Sequence, residues 1–193
     1  MKRIHIILAL ALALSLLAGC AAKQTEKTAT ASGVEIQFSD GKITAASAGG
    51  VEIDGTALTI TDAGTYVLSG SCADGSVTVE KGVDGVTLVL NGLTLTSETT
   101  APIVCGKGSE VAIEAATGTE NTLTDTESNN DESGNTDAEN AVIKCKDGSR
   151  VVLCGAGTLN VQANGKNGIK SGATTEDGEA SLTIRGLTLN IDA

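Results

Sequence analysis

The sequence predicts an all-β protein, and more narrowly a right-handed parallel β-helix. Apolar residues alternate with polar ones in short runs broken by Gly, Asn, Asp and Ser, which is typical of short strands. The chain holds 24 glycines but one proline, and aromatic residues make up 1%. One phrase also recurs, as "LNGLTLTS" at 90–97, "GAGTLNV" at 155–161 and "IRGLTLNI" at 184–191. Internal repetition of this kind indicates a solenoid.

The N-terminal segment predicts export and lipid attachment. Residues 1–19 combine a basic start, an apolar run and small residues, which is typical of a signal peptide rather than a membrane span. Leu17–Cys20 resembles the bacterial lipobox, so Cys20 is the predicted lipidation site, with ordinary signal cleavage as the alternative. We expect residues 20–45 to form the lipidated cysteine and a flexible tether, and residues 46–193 to form the β-helix. The expected location is the extracytoplasmic face of the cell membrane.

Each copy of the repeat contains a strand, a glycine corner, a second strand, a variable loop, a short third strand and a second corner. The copies recur at intervals of roughly 25 to 40 residues. Aligning their third strands predicts two ladders that face the core, because side chains alternate between the two faces of a strand. The predicted ladders are Ile103, Ile143 and Ile169, and Cys105, Cys145 and Ser171.

The recurring phrase predicts which side chains of the second strands are buried. Alternation places Leu93 and Leu95 in the core and Thr94 on the surface. In the last copy the same pattern buries Leu187 and Leu189 and exposes Thr188. We therefore expect rows of outward hydroxyl groups.

Composition excludes several classes of function. The single histidine, His5, falls within the predicted signal peptide, so a mature chain has no histidine for acid–base catalysis or zinc binding. The formal net charge of −11 argues against nucleic acid and anionic membrane surfaces as partners. It is compatible with cation binding.

The four cysteines beyond Cys20 show no C-x-x-C spacing, which argues against a thiolate metal site. Export makes disulfides plausible. Cys105 and Cys145, however, lie at predicted core positions where free cysteine packs as a small apolar group. Buried free thiols and a Cys105–Cys145 bridge both stay open.

An acidic insertion, "DTESNNDESGNTDAEN" at 125–140, holds six acidic residues, four asparagines and no basic residue. Calcium takes six to eight oxygen ligands, so the composition predicts a calcium site, although the spacing matches no EF-hand. The alternative is a flexible, solvated loop. The candidate metal ligands are Asp125, Asp131, Asp137, Glu139 and Asn140.

A second polar turn, "NGKNGIKSG" at 164–172, supplies candidate ligand-binding residues. These are Asn164, Lys166, Asn167 and Lys170. Asn-Gly pairs are also good turn formers, so structure alone is the alternative explanation.

Several motifs together resemble a family of bacterial exported β-helix proteins labelled carbohydrate-binding domain-containing proteins. They are "GTYVLSGSCADGSVTVE", "VTLVLNGLTLTS", "GTENTLTD" and "NGIKS" before "SLTIRGLTLNI". The resemblance implies a fold like that of calcium-containing pectate lyases and binding of cellulose and acidic sugars. Family members continue for further coils with Asp-Asp-Gly-Ile turns, whereas this chain has Asn167-Gly168-Ile169. We therefore expect a β-helix that is truncated at its C-terminus.

The predicted function is that of an exported, lipid-anchored, non-catalytic binder of polysaccharide, either cellulose-like or acidic. Calcium would bridge the protein to acidic sugars, and the membrane would be contacted through the lipid anchor alone. One alternative is a structural or adhesive surface module. Another is a calcium-dependent polysaccharide lyase, whose base would come from Lys166, Lys170, Arg150 or Arg185.

Overall fold

The computed structural model describes residues 33–176 and 178–193. The predicted signal peptide and Cys20 lie outside the described residues. Within the described ranges the protein is all-β, with one 3-10 turn at Asp131–Ser133 and no α-helix. No helix in this part of the chain is long and apolar enough to cross a membrane.

The described residues form sixteen strands, most of them six residues long or shorter. They are β1 (Val34–Ser39), β2 (Lys42–Ala45), β3 (Val51–Asp54), β4 (Ala57–Ile60), β5 (Gly64–Cys72), β6 (Ser76–Val79), β7 (Val86–Ser97), β8 (Ile103–Cys105), β9 (Glu110–Ala115), β10 (Glu120–Asp125), β11 (Ile143–Cys145), β12 (Arg150–Gly155), β13 (Thr158–Gln162), β14 (Ile169–Lys170), β15 (Ser181–Ile184) and β16 (Thr188–Asp192).

Successive copies of the repeat pair in parallel, and the pairs form three rows. The first row is the N-terminal halves of β5 and β7, followed by β9, β12 and β15. The second row is the C-terminal halves of β5 and β7, followed by β10, β13 and β16. The third row is β4, β6, β8, β11 and β14. Because β5 and β7 run through both, the first two rows belong to one ten-stranded sheet, and the third row lies in a six-stranded sheet.

The N-terminal strands correct the predicted domain boundary. We expected residues 20–45 to be a tether, yet β1 pairs in parallel with β5 and in antiparallel with β2. Ile36, Phe38 and Ile43 are buried in the main core, which explains why residues 34–45 are ordered. A second antiparallel pair, β3 with β4, makes both sheets mixed rather than purely parallel.

The predicted ladders are confirmed in β8 and β11. Ile103 stands opposite Ile143, and Cys105 stands opposite Cys145, all four with at most 1% exposure. Ile169 continues the first ladder and is partly buried. The prediction for Ser171 is wrong: β14 ends at Lys170, and Ser171 is exposed. Among the described strands β14 has a neighbour on one side alone, so its end is held by fewer hydrogen bonds.

The second strands alternate as predicted. Leu93 and Leu95 are fully buried, whereas Thr94 between them is exposed. Thr188 is likewise exposed, but Leu187 and Leu189 are only partly buried. Their strand, β16, has a parallel neighbour on one side within the described chain, so less apolar surface covers them.

Cys72, Cys105, Cys145 and Cys154 are free thiols, as the first of the two alternatives predicted. Cys105 and Cys145 stand opposite each other in the core. Interaction with the Cys145 thiol, together with burial, raises the pKa of Cys105 well above its usual value. The Cys105 thiol therefore packs as a small protonated group.

Gly155 shows why the corners need glycine. Its φ is +112°, and a Cβ atom at this position would lie 2.1 Å from the carbonyl oxygen of Ala115 on the neighbouring strand. Any side chain would push the two coils apart. The glycine thus allows adjacent copies to approach to strand-pairing distance.

The isoleucine ladder predicts a large cost for a cavity at its centre. Ile143→Ala should lower the free energy of unfolding by about 2 to 5 kcal/mol, because the fully buried side chain packs between Ile103 and Ile169. Denaturant unfolding measures the change. Ile184→Ala is the matched control, since Ile184 is 47% exposed, and should cost less than about 1 kcal/mol. Equal losses in the two variants would contradict the ladder.

Candidate functional site

The acidic insertion is an ordered loop between β10 and β11. Its 3-10 turn begins after Asn130, whose side chain accepts a hydrogen bond from the Glu132 N–H at 3.0 Å. Asn135 Nδ2 donates to the Thr99 carbonyl at 2.6 Å, which connects the insertion to the preceding copy. The surface of the insertion is solvated, as that alternative predicted, but hydrogen bonds hold its base in place.

Asp125 is the centre of the insertion's base and is fully buried. Its Oδ1 accepts hydrogen bonds from the backbone N–H groups of Asn164 at 2.7 Å and Gly165 at 3.0 Å. Its Oδ2 accepts from Asn129 Nδ2 at 2.8 Å. Several N–H donors satisfy a buried carboxylate without a partner cation. Asp125 thus joins the insertion to the polar turn of the next copy.

Asn129, also fully buried, closes the insertion on itself. Its Oδ1 accepts from the N–H groups of Glu139 at 2.7 Å and Asn140 at 3.1 Å, and its Nδ2 donates to the Ala141 carbonyl at 2.9 Å. Asn140 has a φ of +60°, a left-handed conformation that asparagine tolerates better than most residues. These hydrogen bonds therefore fix the last residues of the loop, 139–141, just before β11 begins.

Two ion-pair groups lie on the surface of the insertion. Lys166 Nζ stands 3.0 Å from Asp131 Oδ1 and 2.9 Å from Glu132 Oε1, and Lys146 Nζ stands 2.6 Å from Glu139 Oε1. The hydrogen bond from Lys166 lowers the pKa of Asp131, and hydrogen bonds to Glu132 and Asp131 raise the pKa of Lys166. Each of these charged side chains is therefore paired with one of opposite charge within its own group.

The structure places the five predicted calcium ligands either against protein donors or in solvent, and a calcium site there stays a prediction. No group of three or more His, Cys, Asp or Glu side chains suited to a metal occurs in the described ranges. Asp125, Asp131 and Glu139 accept hydrogen bonds from protein donors, and Asn140 Oδ1 accepts one from the Asp131 N–H at 2.9 Å. Asp137 is exposed at the edge of the loop. Four of the five predicted ligands, Asp125, Asp131, Glu139 and Asn140, thus have a side-chain oxygen that accepts from a protein donor.

The four predicted ligand-binding residues divide into two kinds. Asn164 and Asn167 are structural: their Nδ2 atoms donate to the carbonyls of Asp125 at 2.7 Å and Asn140 at 2.6 Å. Lys166 is held by its two ion pairs. Lys170 is exposed on β14 and stands in register with Lys144 of β11. Of the four, Lys170 alone makes no side-chain hydrogen bond or ion pair with the described residues.

The second row carries a set of outward polar side chains, which we call the polar array. Its main column runs in register through Thr94, Thr122, Asn160 and Asn190. Asn190 Nδ2 donates to Asn160 Oδ1 at 2.8 Å, and Asn160 Nδ2 donates to Glu120 Oε1 at 2.9 Å. The side chains are thereby oriented by each other.

A second column of the polar array lies beside the first. Thr124 Oγ1 donates to Gln162 Oε1 at 3.0 Å. A shallow open groove of about 350 Å³ is lined by Glu120, Thr122, Asn160, Gln162 and their neighbours on β16. Strands lie about 4.8 Å apart, so the array offers hydroxyl and amide groups at a spacing comparable with the length of one sugar ring.

Sequence reasoning anticipated the hydroxyl rows but missed the amides of the array. Asn160 and Asn190 follow the same "TL" step in "GTLNV" and "LTLNI", and alternation places both on the outward face. It also missed Asn121, a buried corner residue whose Oδ1 accepts from the N–H groups of Gly92 and Leu93, both at 2.9 Å. The sequence signal that could have identified these residues is the position of each asparagine in the alternation of inward and outward side chains.

The hydrogen bonds of Asp125 predict that its charge is needed for stability. Asp125→Asn should lower the free energy of unfolding by about 1 to 3 kcal/mol, because the new Nδ2 would face the Asn129 Nδ2 donor or the backbone N–H groups. Thermal and denaturant unfolding measure the change. Asp137→Asn is the matched control, since Asp137 is exposed in the same loop. Equal effects of the two substitutions would contradict the central position of Asp125.

The same samples test the calcium prediction. Because the candidate oxygens are engaged internally, calcium should leave the melting temperature of the wild-type protein unchanged relative to EDTA. A ligand that binds the folded state alone would raise it. A calcium-dependent rise that Asp125→Asn abolishes would overturn this expectation and restore the predicted site.

Comparisons with known proteins agree with one another. Residues 54–193 match the family model described as carbohydrate-binding domain-containing protein. A curated relative of that name from Acetivibrio thermocellus is 32% identical over 152 residues, which are 78% of this chain and 52% of the relative. A solved structure, described as the polysaccharide lyase-like protein from C. thermocellum in a gadolinium derivative, shows 32% identity and a TM-score of 0.69. The match covers 83% of this chain and 61% of that one.

The chain thus spans about half the length of the curated relative that it matches. The family match itself covers well over half of the residues of this chain. The chain belongs to the family of carbohydrate-binding domain-containing proteins.

Proposed function

We propose that the chain is a non-catalytic binder of polysaccharide, and that the polar array is its contact surface. The observation that carries the proposal is the in-register column of Thr94, Thr122, Asn160 and Asn190 on an open sheet face. Family membership supports a polysaccharide partner. The column supplies the chemistry, since hydroxyl and amide groups both donate to and accept from sugar hydroxyls.

The shape of the array favours a polymer over a small sugar. Small ligands are held in concave pockets that bury most of their surface, whereas the groove along the array is shallow and open. An extended chain can make one weak contact per strand, and contacts repeated at the strand spacing add up along the row. The partner is therefore a polysaccharide that lies across the strands.

The rows are the faces of a right-handed parallel β-helix in this proposal. Parallel pairing of each copy with the next, in three rows, supports a coil that returns once per copy. Connections between parallel strands of one sheet are almost always right-handed. A rigid coil keeps the array straight, which lowers the entropy lost when a polymer binds.

The proposed location is the extracytoplasmic face of the cell membrane, with a lipid attached at Cys20. The signal-like segment and the Leu17–Cys20 motif support this proposal. Calcium is assigned no part in the proposal, because four of the five predicted ligands already accept hydrogen bonds from protein donors. The structural or adhesive alternative shares the location and differs in having no glycan partner.

Asn160→Ala tests the polar array directly. Asn160 lies in the middle of the column, so the substitution removes one direct contact and releases Asn190 and Glu120 from their side-chain hydrogen bonds. Retention on an insoluble or gel-embedded neutral glucan should weaken by about three- to tenfold, the equivalent of one hydrogen bond. Pull-down with cellulose and affinity electrophoresis measure it.

The control is Asn91→Ala, the same change at an exposed corner position outside the array. It should leave retention unchanged. If both variants bind as the wild-type chain does, the array is not the contact surface. If the wild-type chain binds no glycan, the structural or adhesive alternative replaces the proposal.

The lyase alternative is favoured by one observation beyond the description of the solved relative. Burial, together with the charge of Lys170, lowers the pKa of Lys144, which makes it a better base than an ordinary lysine. By contrast, Arg150 is paired with Glu110 at 2.8 Å, and Lys166 is paired twice. We expect no ultraviolet absorbance from unsaturated uronides when polygalacturonate is incubated with the chain. Its appearance, and its loss in Lys144→Gln, would establish the lyase.

A further inference from the structure

We propose that Lys144 and Lys170 form a site for an oxyanion group on the bound glycan, either a carboxylate or a sulfate ester, that needs no metal. The inference rests on the proposed function, because it assumes a glycan partner. It concerns a different face, the third row, and a different chemistry, direct contact between ammonium groups and a negative charge. The two lysines stand in register on adjacent parallel strands.

The pair is unfavourable for the protein alone. Neighbouring strands lie about 4.8 Å apart, and like charges directly opposite each other destabilise a sheet. Lys144 is half-buried, so part of its side chain has also lost water. Both effects lower the pKa of Lys144, with burial first and the charge of Lys170 second. The two ammonium groups therefore repel each other, and this repulsion destabilises the folded protein.

Within the described residues no carboxylate makes direct contact with either ammonium group to relieve this cost. Neither lysine forms an ion pair within 4.0 Å in the described ranges, although the chain carries 24 acidic residues. Two carboxylates influence Lys144, those of Glu139 and Asp147. Glu139 is 2.6 Å from Lys146, and Asp147 Oδ1 accepts from the Ala173 N–H at 2.8 Å.

Lys146 lies two residues beyond Lys144 and is neutralised by Glu139. The cluster thus has three ammonium groups, those of Lys144, Lys146 and Lys170, and two carboxylates, those of Glu139 and Asp147. On a chain with a formal net charge of −11, a cluster in which positive charges outnumber negative ones is a local exception. A bound oxyanion would bridge the two ammonium groups and remove their repulsion. Lysine is a flexible point charge, so it accepts planar carboxylates and tetrahedral sulfates alike.

The test compares a variant that loses both lysines with one that loses two positive charges elsewhere. The first is Lys144→Gln/Lys170→Gln. The control is Lys42→Gln/Arg185→Gln, which changes the net charge equally at two exposed positions on other strands and corners. The probes are two matched pairs of polymers, polygalacturonate with its methyl ester and dextran sulfate with dextran. Affinity electrophoresis is run in EDTA at low salt, and circular dichroism checks the fold.

The expected result is about a tenfold weaker retention of the first variant by the charged polymers, with no change for the uncharged ones. The control variant should behave as the wild-type chain does. Loss with polygalacturonate alone assigns the site to carboxylates, loss with dextran sulfate alone assigns it to sulfate esters, and loss with both assigns it to either charge. Lys144→Gln should also raise the melting temperature slightly, because it removes the repulsion.

Two outcomes would overturn the proposal. One is equal weakening in the two double variants, which would mean that overall charge alone governs retention. The other is no preference of the wild-type chain for charged over uncharged polymers. Failure of the polar array is a separate result: the wild-type chain would then retain the charged polymers and not the uncharged ones.

Discussion

In-register parallel stacking of successive copies is the constraint on which the rest of the structure depends. Each inward side chain packs on its counterpart one copy away, as Ile143 does on Ile103, so a residue of the wrong size would disturb two neighbours. The same register lines up the outward side chains. The polar array and the Lys144–Lys170 pair are therefore consequences of core packing, because the core decides which residues stand side by side.

The insertion shows how stacked copies of the repeat accommodate extra residues without losing register. Asp125 ends β10 in the core, and its carboxylate accepts from the turn of the next copy as well as from Asn129. Asn129 then gathers the far end of the loop at Glu139 and Asn140. Both buried polar side chains have hydrogen-bond partners, so their burial leaves no unsatisfied polar atom. Of the acidic residues in the insertion, Asp125 accepts from internal N–H groups, whereas Asp131, Glu132 and Glu139 pair with lysines.

Charge is distributed unevenly over a chain that is acidic as a whole. Lys166, Lys146 and Arg150 are compensated by carboxylates close by, whereas Lys144 and Lys170 share a row without one in the described residues. The polar array lies on the second row and the lysine pair on the third. A glycan with both hydroxyl and anionic groups could contact either face, and the two contacts differ in their dependence on salt. The polar array would bind through neutral hydrogen bonds and the lysine pair through charge, so their contributions can be distinguished by varying the salt concentration.

The sequence by itself determined the strands, the copies and the inward or outward parity of most residues. Those features depend on alternation and on glycine corners, which are local, so Leu93, Thr94 and the Ile103–Ile143 ladder could be read directly. Tertiary structure decided what composition could not. The backbone N–H groups that donate to Asp125 Oδ1 belong to residues about forty positions away, Asn164 and Gly165. The packing of residues 34–45 against the core and the exposure of Ser171 likewise depended on which strands found partners, since pairing across copies is non-local.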